Sequence, residues 1–446
     1  MALLSSKIVD RYPALSQREY VKYFLASLAA VGATQLVTFG QLWLVYEITA
    51  SPIMLGWLGA AAAVPNLAIT LFGGVISDRY DKRLILIVTS GGNMLLTGLL
   101  TILVVAQVVE VWHVLLIAAL SSILNGFDWP TRVAIFPQLV DRDQYLSAVA
   151  LNSFIWQVMR MAIPALAGFL LYYTDSSVVF GFATAGYLAM CLTMYAIQMR
   201  PMESASSEIG AVTQIIEGIS FIFRHDIFKY LLALTFIGMF FCNSHAQLMP
   251  MFSDLNLRDE VGLGLLMTAG GLGSIVGTIV IGGNRHEHNL TRMMLSSGVL
   301  TAVTTVGFTV ASMFAWFYVA LVLQFAAAFV ASVFLISSMT TMQLSVPDQL
   351  RGRVMGIHTM CYSLLPLGGL FLGSLTEFAN VLTAVLSGSG IYLIALLIVL
   401  AGTSSMRNLR FATLRQITIE ESLVRSQSAV AKASMSQDTP VPPRPQ

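Results

Sequence analysis

The turn Gly73-Gly74-Val75-Ile76-Ser77-Asp78-Arg79-Tyr80-Asp81-Lys82-Arg83 packs carboxylates and basic groups between two apolar runs. Asp78 there can pair with Arg79, Lys82 or Arg83 and can interact with the partial charges of neighbouring helix ends. Arg160 is different: it stands alone in the middle of the apolar run 145–173. A guanidinium facing lipid costs at least ~2.5 kcal/mol, so Arg160 is expected to face a cavity or an acidic partner, where it can anchor an anionic or acceptor-rich molecule or brace the structure. Asp128 and Arg132 are four apart, on one helix face, in ion-pair spacing; Asp128 is also a candidate proton site. Glu47 and Glu377 close two apolar runs and are candidates for proton release at the opposite membrane surface. His245, a further candidate to line a cavity, and His358 are able to titrate near neutral pH or to serve as satisfied packing residues. Gln35, Gln41, Asn125 and Gln324 are polar groups within apolar runs, suited to lining a cavity or to bonding helix to helix.

Such side chains must be held by elements that the composition already restricts. Of 446 residues 56% are apolar and only 11% charged, far from the roughly 25% charged residues of a soluble surface. The apolar runs are continuous and do not alternate, which excludes a membrane barrel. A helix needs about 20 residues to cross the hydrocarbon, so the chain is expected to be an all-α polytopic membrane protein. Runs bounded by charge, Pro or Gly place helices near 21–48, 52–77, 84–109, 111–136, 145–173, 176–199, 229–253, 260–283, 291–311, 314–344, 353–380 and 384–405. Residues 1–20 form a short leading segment, and the run after them lacks a small-residue cleavage site, so it reads as the first span and not as a signal peptide.

Of the 24 Lys and Arg, all but Arg160 and Arg258 fall on one side if the first residues are cytoplasmic, which predicts both termini inside and a multi-pass protein of the plasma membrane, the inner membrane in a Gram-negative cell. The linker 200–228 separates two groups of six helices, 21–199 and 229–405. Its Ile209, Val212, Ile216, Ile219 and Phe223 form one apolar stripe, as in a helix lying on the membrane. The tail 406–446 is polar and Pro-rich, and is expected to be partly disordered. Cys191, Cys242 and Cys361 sit in apolar runs and are expected to pack, not to form disulfides.

The chain repeats itself. Gln138-Leu139, Asp143-Gln144, Val149 and Gly168 match Gln343-Leu344, Asp348-Gln349, Val354 and Gly373 at a common displacement of 205 residues, which predicts two tandem bundles. Pro164, Gly168, Gly273, Gly277, Gly369 and Gly373 are expected where the two bundles meet, because small residues let backbones approach. Pro65, Pro164 and Pro366 interrupt helices that can bend.

Gly74, Asp78, Arg79, Lys82 and Arg83 stand in the register Gly-x-x-x-Asp-Arg-x-Gly-Arg-Lys/Arg, with Asp81 in the second glycine's place. This resembles the signature of the major facilitator superfamily between its second and third helices. Gly282-Gly283-Asn284-Arg285-His286-Glu287-His288 is the degraded counterpart in the second half. Val45-Tyr46-Glu47-Ile48-Thr49-Ala50-Ser51-Pro52, Trp129-Pro130-Thr131-Arg132 with Pro137-Gln138-Leu139-Val140, and Leu350-Arg351-Gly352-Arg353-Val354-Met355-Gly356 are similar to the branch of siderophore exporters and macrolide efflux proteins. Arg160-Met161-Ala162-Ile163-Pro164-Ala165-Leu166-Ala167-Gly168 resembles the Gly-Pro-x-x-Gly-Gly element of its exporters, with Ile163 and Ala167 in glycine places.

The resemblance implies a monomeric secondary transporter of two six-helix bundles, without a cofactor. It would export a small amphipathic organic molecule by alternating access, with protons as the coupling ion. A lipid or lysolipid mover on the same fold and a non-transporting membrane sensor are the alternatives. No Gly-x-x-x-x-Gly-Lys-Ser/Thr loop is present to bind ATP. Net charge is +1, which gives no footprint for nucleic acid, and the His286-Glu287-His288 tract is too close-spaced in a short loop to read as a metal site.

Overall fold

The computed structural model describes residues 11–199, 219–283 and 290–402; within these, the side chains of 70–79, 282, 283, 290, 291, 344, 348, 349, 352 and 400–402 are not described. The leading residues 1–10, the first part of the linker and the tail lie outside the described residues, as do Ile209, Val212 and Ile216 of the expected stripe. At the linker's end Ile219 and Phe223 are exposed on a helical turn, while Phe221 and Ile222 pack into the second bundle.

Twelve helices long and apolar enough to span a membrane are present among the described residues. They are α1 (Arg18–Thr49), α2 (Pro52–Arg79), α3 (Lys82–Val105), α4 (Val111–Ala134), α5 (Tyr145–Tyr173), α6 (Ser176–Ala196), α7 (Asp226–Leu255), α8 (Glu260–Gly283), α9 (Leu290–Met313), α10 (Phe317–Ser345), α11 in two pieces (Asp348–Met360 and Leu364–Phe378) and α12 (Val381–Gly402). With lipid around them the backbone groups must bond within each helix, which fixes helices as the element. Even helix number puts the start of α1 and the end of α12 on one face, here the terminus face; the α1–α2, α5–α6, α7–α8 and α11–α12 turns lie on the far face.

Three departures from the sequence reading have local causes. Helix α3 stops at Val105, short of 109, because Gln107 takes a left-handed φ of 56° and Glu110 caps α4; the apolar pair Val108-Val109 hides this turn in the sequence. Helix α7 is not continuous: a π segment at Gly238–Cys242 and a 3-10 segment at Asn243–Leu248 precede Met249–Leu255. Pro250 has no N–H to give the preceding turn. The same reason applies in α11, where a 3-10 turn at Cys361–Ser363 sits just ahead of Pro366.

Two seams join the halves, and both are backbone against backbone. In one, Pro164 and Gly168 of α5 lie on Glu260 and Gly264 of α8; a Cβ on Gly264 would stand 2.6 Å from the Pro164 carbonyl oxygen. In the other, Gly59 and Gly56 of α2 lie on Pro366, Gly369 and Leu370 of α11, and Gly373 lies on Pro52; a Cβ on Gly59 would stand 2.5 Å from the Pro366 carbonyl oxygen. Gly168 and Gly373, and likewise Gly59 and Gly264, are 205 residues apart, so the seams are the same structure built twice. Gly273 and Gly277 do not belong to a seam: they receive the carbonyls of Phe325 and Phe329 of α10, inside the second half. The expectation of interbundle packing is corrected there, because Gly271, two residues earlier, faces Met161 of α5 instead.

Both seams occupy the far-face half of their helices, and polar links sit with them. Tyr46 Oη donates to Asp254 Oδ2 (3.0 Å), Gln247 Nε2 to the Leu55 carbonyl (3.0 Å) and Ser51 Oγ to Glu377 (3.3 Å). The halves are therefore closed at the far face. Replacing Gly264 or Gly59 by Ala should overpack a seam by about 1–3 kcal/mol. Spin labels on Ile48 and Asn380, one on each half, should then show the far face opening, whereas Gly181→Ala, with nothing within 4 Å of its Cβ, should leave the distance unchanged.

Candidate substrate site and its switch

The charged turn after α2 starts α3. Asp81 caps that helix by accepting from the Arg83 N–H (2.9 Å). Arg83 reaches α6: its Nε donates to the Met194 carbonyl (2.7 Å) and its Nη2 to the Tyr195 carbonyl, so the guanidinium neutralises the negative end of α6. Lys82 is buried beside it. Gly74 lies in α2 as expected, and the side chains of Asp78 and Arg79 lie outside the described residues.

Deeper in the first half, Asp128 and Arg132 form the ion pair that their spacing predicts. The second carboxylate oxygen accepts from Thr89 Oγ1 (2.9 Å), and Arg132 Nη1 donates to Ser27 Oγ (3.4 Å), so α1, α3 and α4 are tied together around one buried charge pair. One turn deeper, Asn93 Nδ2 donates to Asn125 Oδ1 (3.2 Å), joining α3 to α4. Thr34 and Tyr187 bond α1 to α6 (3.1 Å).

In the second half His245 sits on the broken part of α7, buried, with Nδ1 against the Cys242 carbonyl (3.0 Å) and Nε2 against Gln324 Oε1 of α10 (3.2 Å). His358 is buried with neither ring nitrogen bonded. Gln41 is buried with its amide nitrogen unpartnered, and Gln35 is half-buried on α1.

Arg160 differs from these in being charged. Its side chain is exposed at mid-helix, and the group that its charge reaches is the Tyr362 hydroxyl on α11. Helix α5 packs on α8 whereas α11 packs on α2, so the space that these two side chains share lies between the halves. Trp156, one turn before Arg160, stacks edge-to-face on Trp129 of α4 at 5.0 Å. Of the bulky residues that could face that space, Met249 is instead buried, and Phe240 packs against Phe236 and Phe371.

At the far face, Glu47 is exposed at the end of α1, and the charge it meets is Glu260 at the start of α8, in the other half. Sequence reasoning missed Tyr362 and Glu260 because neither spacing nor composition reports a neighbour across the halves. It missed Gly59 and Gly264 although the 205-residue displacement already pairs them.

Removing one partner of a buried ion pair leaves the other charge uncompensated, at about 3–5 kcal/mol. Asp128→Asn should therefore lower the melting temperature in detergent, and adding Arg132→Met should restore much of it. A single variant that melts like the wild type would show that the pair does not hold the first half together.

The transmembrane secretion effector family matches residues 10–428. The chain is 26% identical over 363 residues to the staphyloferrin A transporter of Staphylococcus aureus, covering 79% of this chain and 88% of that one. It is 24% identical over 372 residues to the multidrug efflux pump Tap of Mycolicibacterium fortuitum, covering 80% and 88%. The solved D-xylose–proton symporter superposes with a TM-score of 0.66 at 14% identity, over 87% of this chain and 98% of that one, a likeness of fold. Twelve helices, two halves repeated in tandem and this match over nearly the whole sequence place the chain in the transmembrane secretion effector family of the major facilitator superfamily, as a membrane transporter and not an enzyme.

Proposed function

We propose that this transporter exports small amphipathic organic anions, of the siderophore or drug-like kind that its relatives are named for, by alternating access driven by an inward flow of protons. The observation that carries the reading is Arg160: an exposed guanidinium in the middle of a spanning helix, opposite Tyr362 of the other half, while most other polar groups of the core bond to one another. An unneutralised cation is held there only if something anionic visits it. The basic residues support a cytoplasmic terminus face, which makes the closed far face the outer one and the cytoplasm the side from which substrate would load. A single chain supplies both halves and works as a monomer in the plasma membrane.

Glu47 is the carboxylate best placed to couple protons, with Glu377, bonded to Ser51 of the first half, as its neighbour on the same face. Closing the far face brings Glu47 towards Glu260, and like charges resist that approach. Protonation from outside after substrate release removes the repulsion and lets the carrier close again. Asp128, bonded to Arg132 and Thr89, takes the part nearer the cytoplasm, and the turn with Asp78, Arg79, Lys82 and Arg83 sets which state is favoured.

In vesicles, Arg160→Ala should reduce export of anionic substrates about tenfold or more and that of neutral ones much less, the loss of one charge-assisted contact. Equal loss of all substrates with a fall in folded yield would make Arg160 a brace. Substrate addition should release protons from the purified wild type, and Glu47→Gln should suppress that release while substrate binding survives. Transport unchanged after collapse of the proton gradient, with no sodium requirement, would reduce the activity to facilitated diffusion.

A further inference from the structure

At the far face, outside the space between Arg160 and Tyr362, a cavity of about 330 Å³ lies where α5, α8 and α10 meet. Its wall from the first half is Phe169, Tyr172 and Tyr173, three exposed rings in edge-to-face contact at 4.9 and 5.0 Å. Its wall from the second half carries Arg258 and Asp259 beside Phe317. Arg258 is one of the two basic residues that break the charge asymmetry of the sequence.

Its position is built. The stem of Arg258 crosses α8 at Gly262, where a Cβ would stand 3.1 Å from Arg258 Cγ and 2.6 Å from Ser253 Oγ. The guanidinium lies over the Phe317 ring at 4.8 Å, and Ser253 Oγ holds the turn by donating to the Asp259 carbonyl (2.9 Å). Asp259 Oδ1 accepts from the Val261 N–H (3.2 Å), which fixes the carboxylate next to the cation.

We infer that this cavity binds the headgroup of a zwitterionic phospholipid, phosphate on Arg258 and ammonium on Asp259, and that the bound lipid holds the far face closed. The cavity lies where α5 ends and α8 and α10 begin, the level at which headgroups meet aromatic rings. The lining itself carries one cation and one carboxylate, and the pair matches a headgroup that carries both signs. The rings leave an apolar exit for the acyl chains. Because the walls belong to different halves and flank the Gly168–Gly264 crossing, the site is assembled only while that seam is shut. A ligand that binds one state and not the other shifts the population towards it.

The test places spin labels on Ile48 and Asn380 and reconstitutes the full chain in nanodiscs of phosphatidylglycerol alone or mixed with equal parts of phosphatidylethanolamine or phosphatidylcholine. Either zwitterionic lipid should raise the closed-face population about fivefold or more over phosphatidylglycerol. Arg258→Gln should abolish the response. Asp259→Asn keeps an oxygen for the Val261 N–H but leaves a net positive site, so it should let phosphatidylglycerol close the face as well. A lipid response that both variants retain would assign it to the bulk bilayer, and no response in the wild type would also overturn the site. Native mass spectrometry, with melting as the check on folding, should show phosphatidylethanolamine retained by the wild type and lost from Arg258→Gln; equal retention would overturn the assignment.

Discussion

Everything in this molecule depends on two places where backbone meets backbone without an intervening side chain. Between helices in lipid there is no hydrophobic gain, so close van der Waals approach must supply the attraction. Gly168 on Gly264 and Gly373 on Pro52, with Gly59 under Pro366, provide it on the two sides of the molecule. A seam made of flat backbone has no interlocking side chains to withdraw when the halves tilt. It can be strong when shut and still open smoothly, which a carrier requires of the joint between its halves.

A second constraint, that a polar group away from water needs a partner, is met in much of each half, with His358 and the Gln41 amide nitrogen left over. Asp128, Arg132, Thr89 and Ser27 satisfy one another, Asn93 meets Asn125, and His245 meets Gln324. These networks tie α1, α3 and α4 together in the first half and α7 to α10 in the second. Arg160 gains its meaning by contrast. It has the cost of a charge in the membrane and no ion pair with a carboxylate among the described residues, which is what the proposed anionic substrate would supply.

The sequence was legible where the physics is local. Hydrocarbon thickness sets helix number and length, and the ion pair at Asp128 and Arg132 follows from helical spacing alone. The displacement of 205 residues announces the tandem halves, and the seams confirm it in atoms. Illegible were the facts that depend on a distant neighbour. Glycines at 271, 273 and 277 look alike in the sequence, yet Gly271 faces α5 and the other two face α10, because successive residues on a helix point to different partners. The break in α7 was hidden for another reason: Gly238 and Pro250 lie inside an apolar stretch whose hydropathy is that of a continuous span.

The hydrogen bonds that rocking must break differ in place from those that it must keep. Thr235 to Ser338, His245 to Gln324 and Arg132 to Ser27 are buried and lie within one half. Tyr46 to Asp254 and Ser51 to Glu377 cross between the halves and are exposed, while Gln247 to Leu55 and Thr268 to Met161 cross where they are only partly buried. An exposed hydrogen bond that opens is replaced by one to water at a net cost of about 0.5–1.5 kcal/mol, whereas a buried one would leave its groups unsatisfied at about 1–3 kcal/mol each. Opening the far face therefore breaks its polar links where water can enter and leaves the buried networks whole. The glycine seams hold the same face shut, and the exposed Glu47 stands there with Glu260 of the other half as the charge it meets.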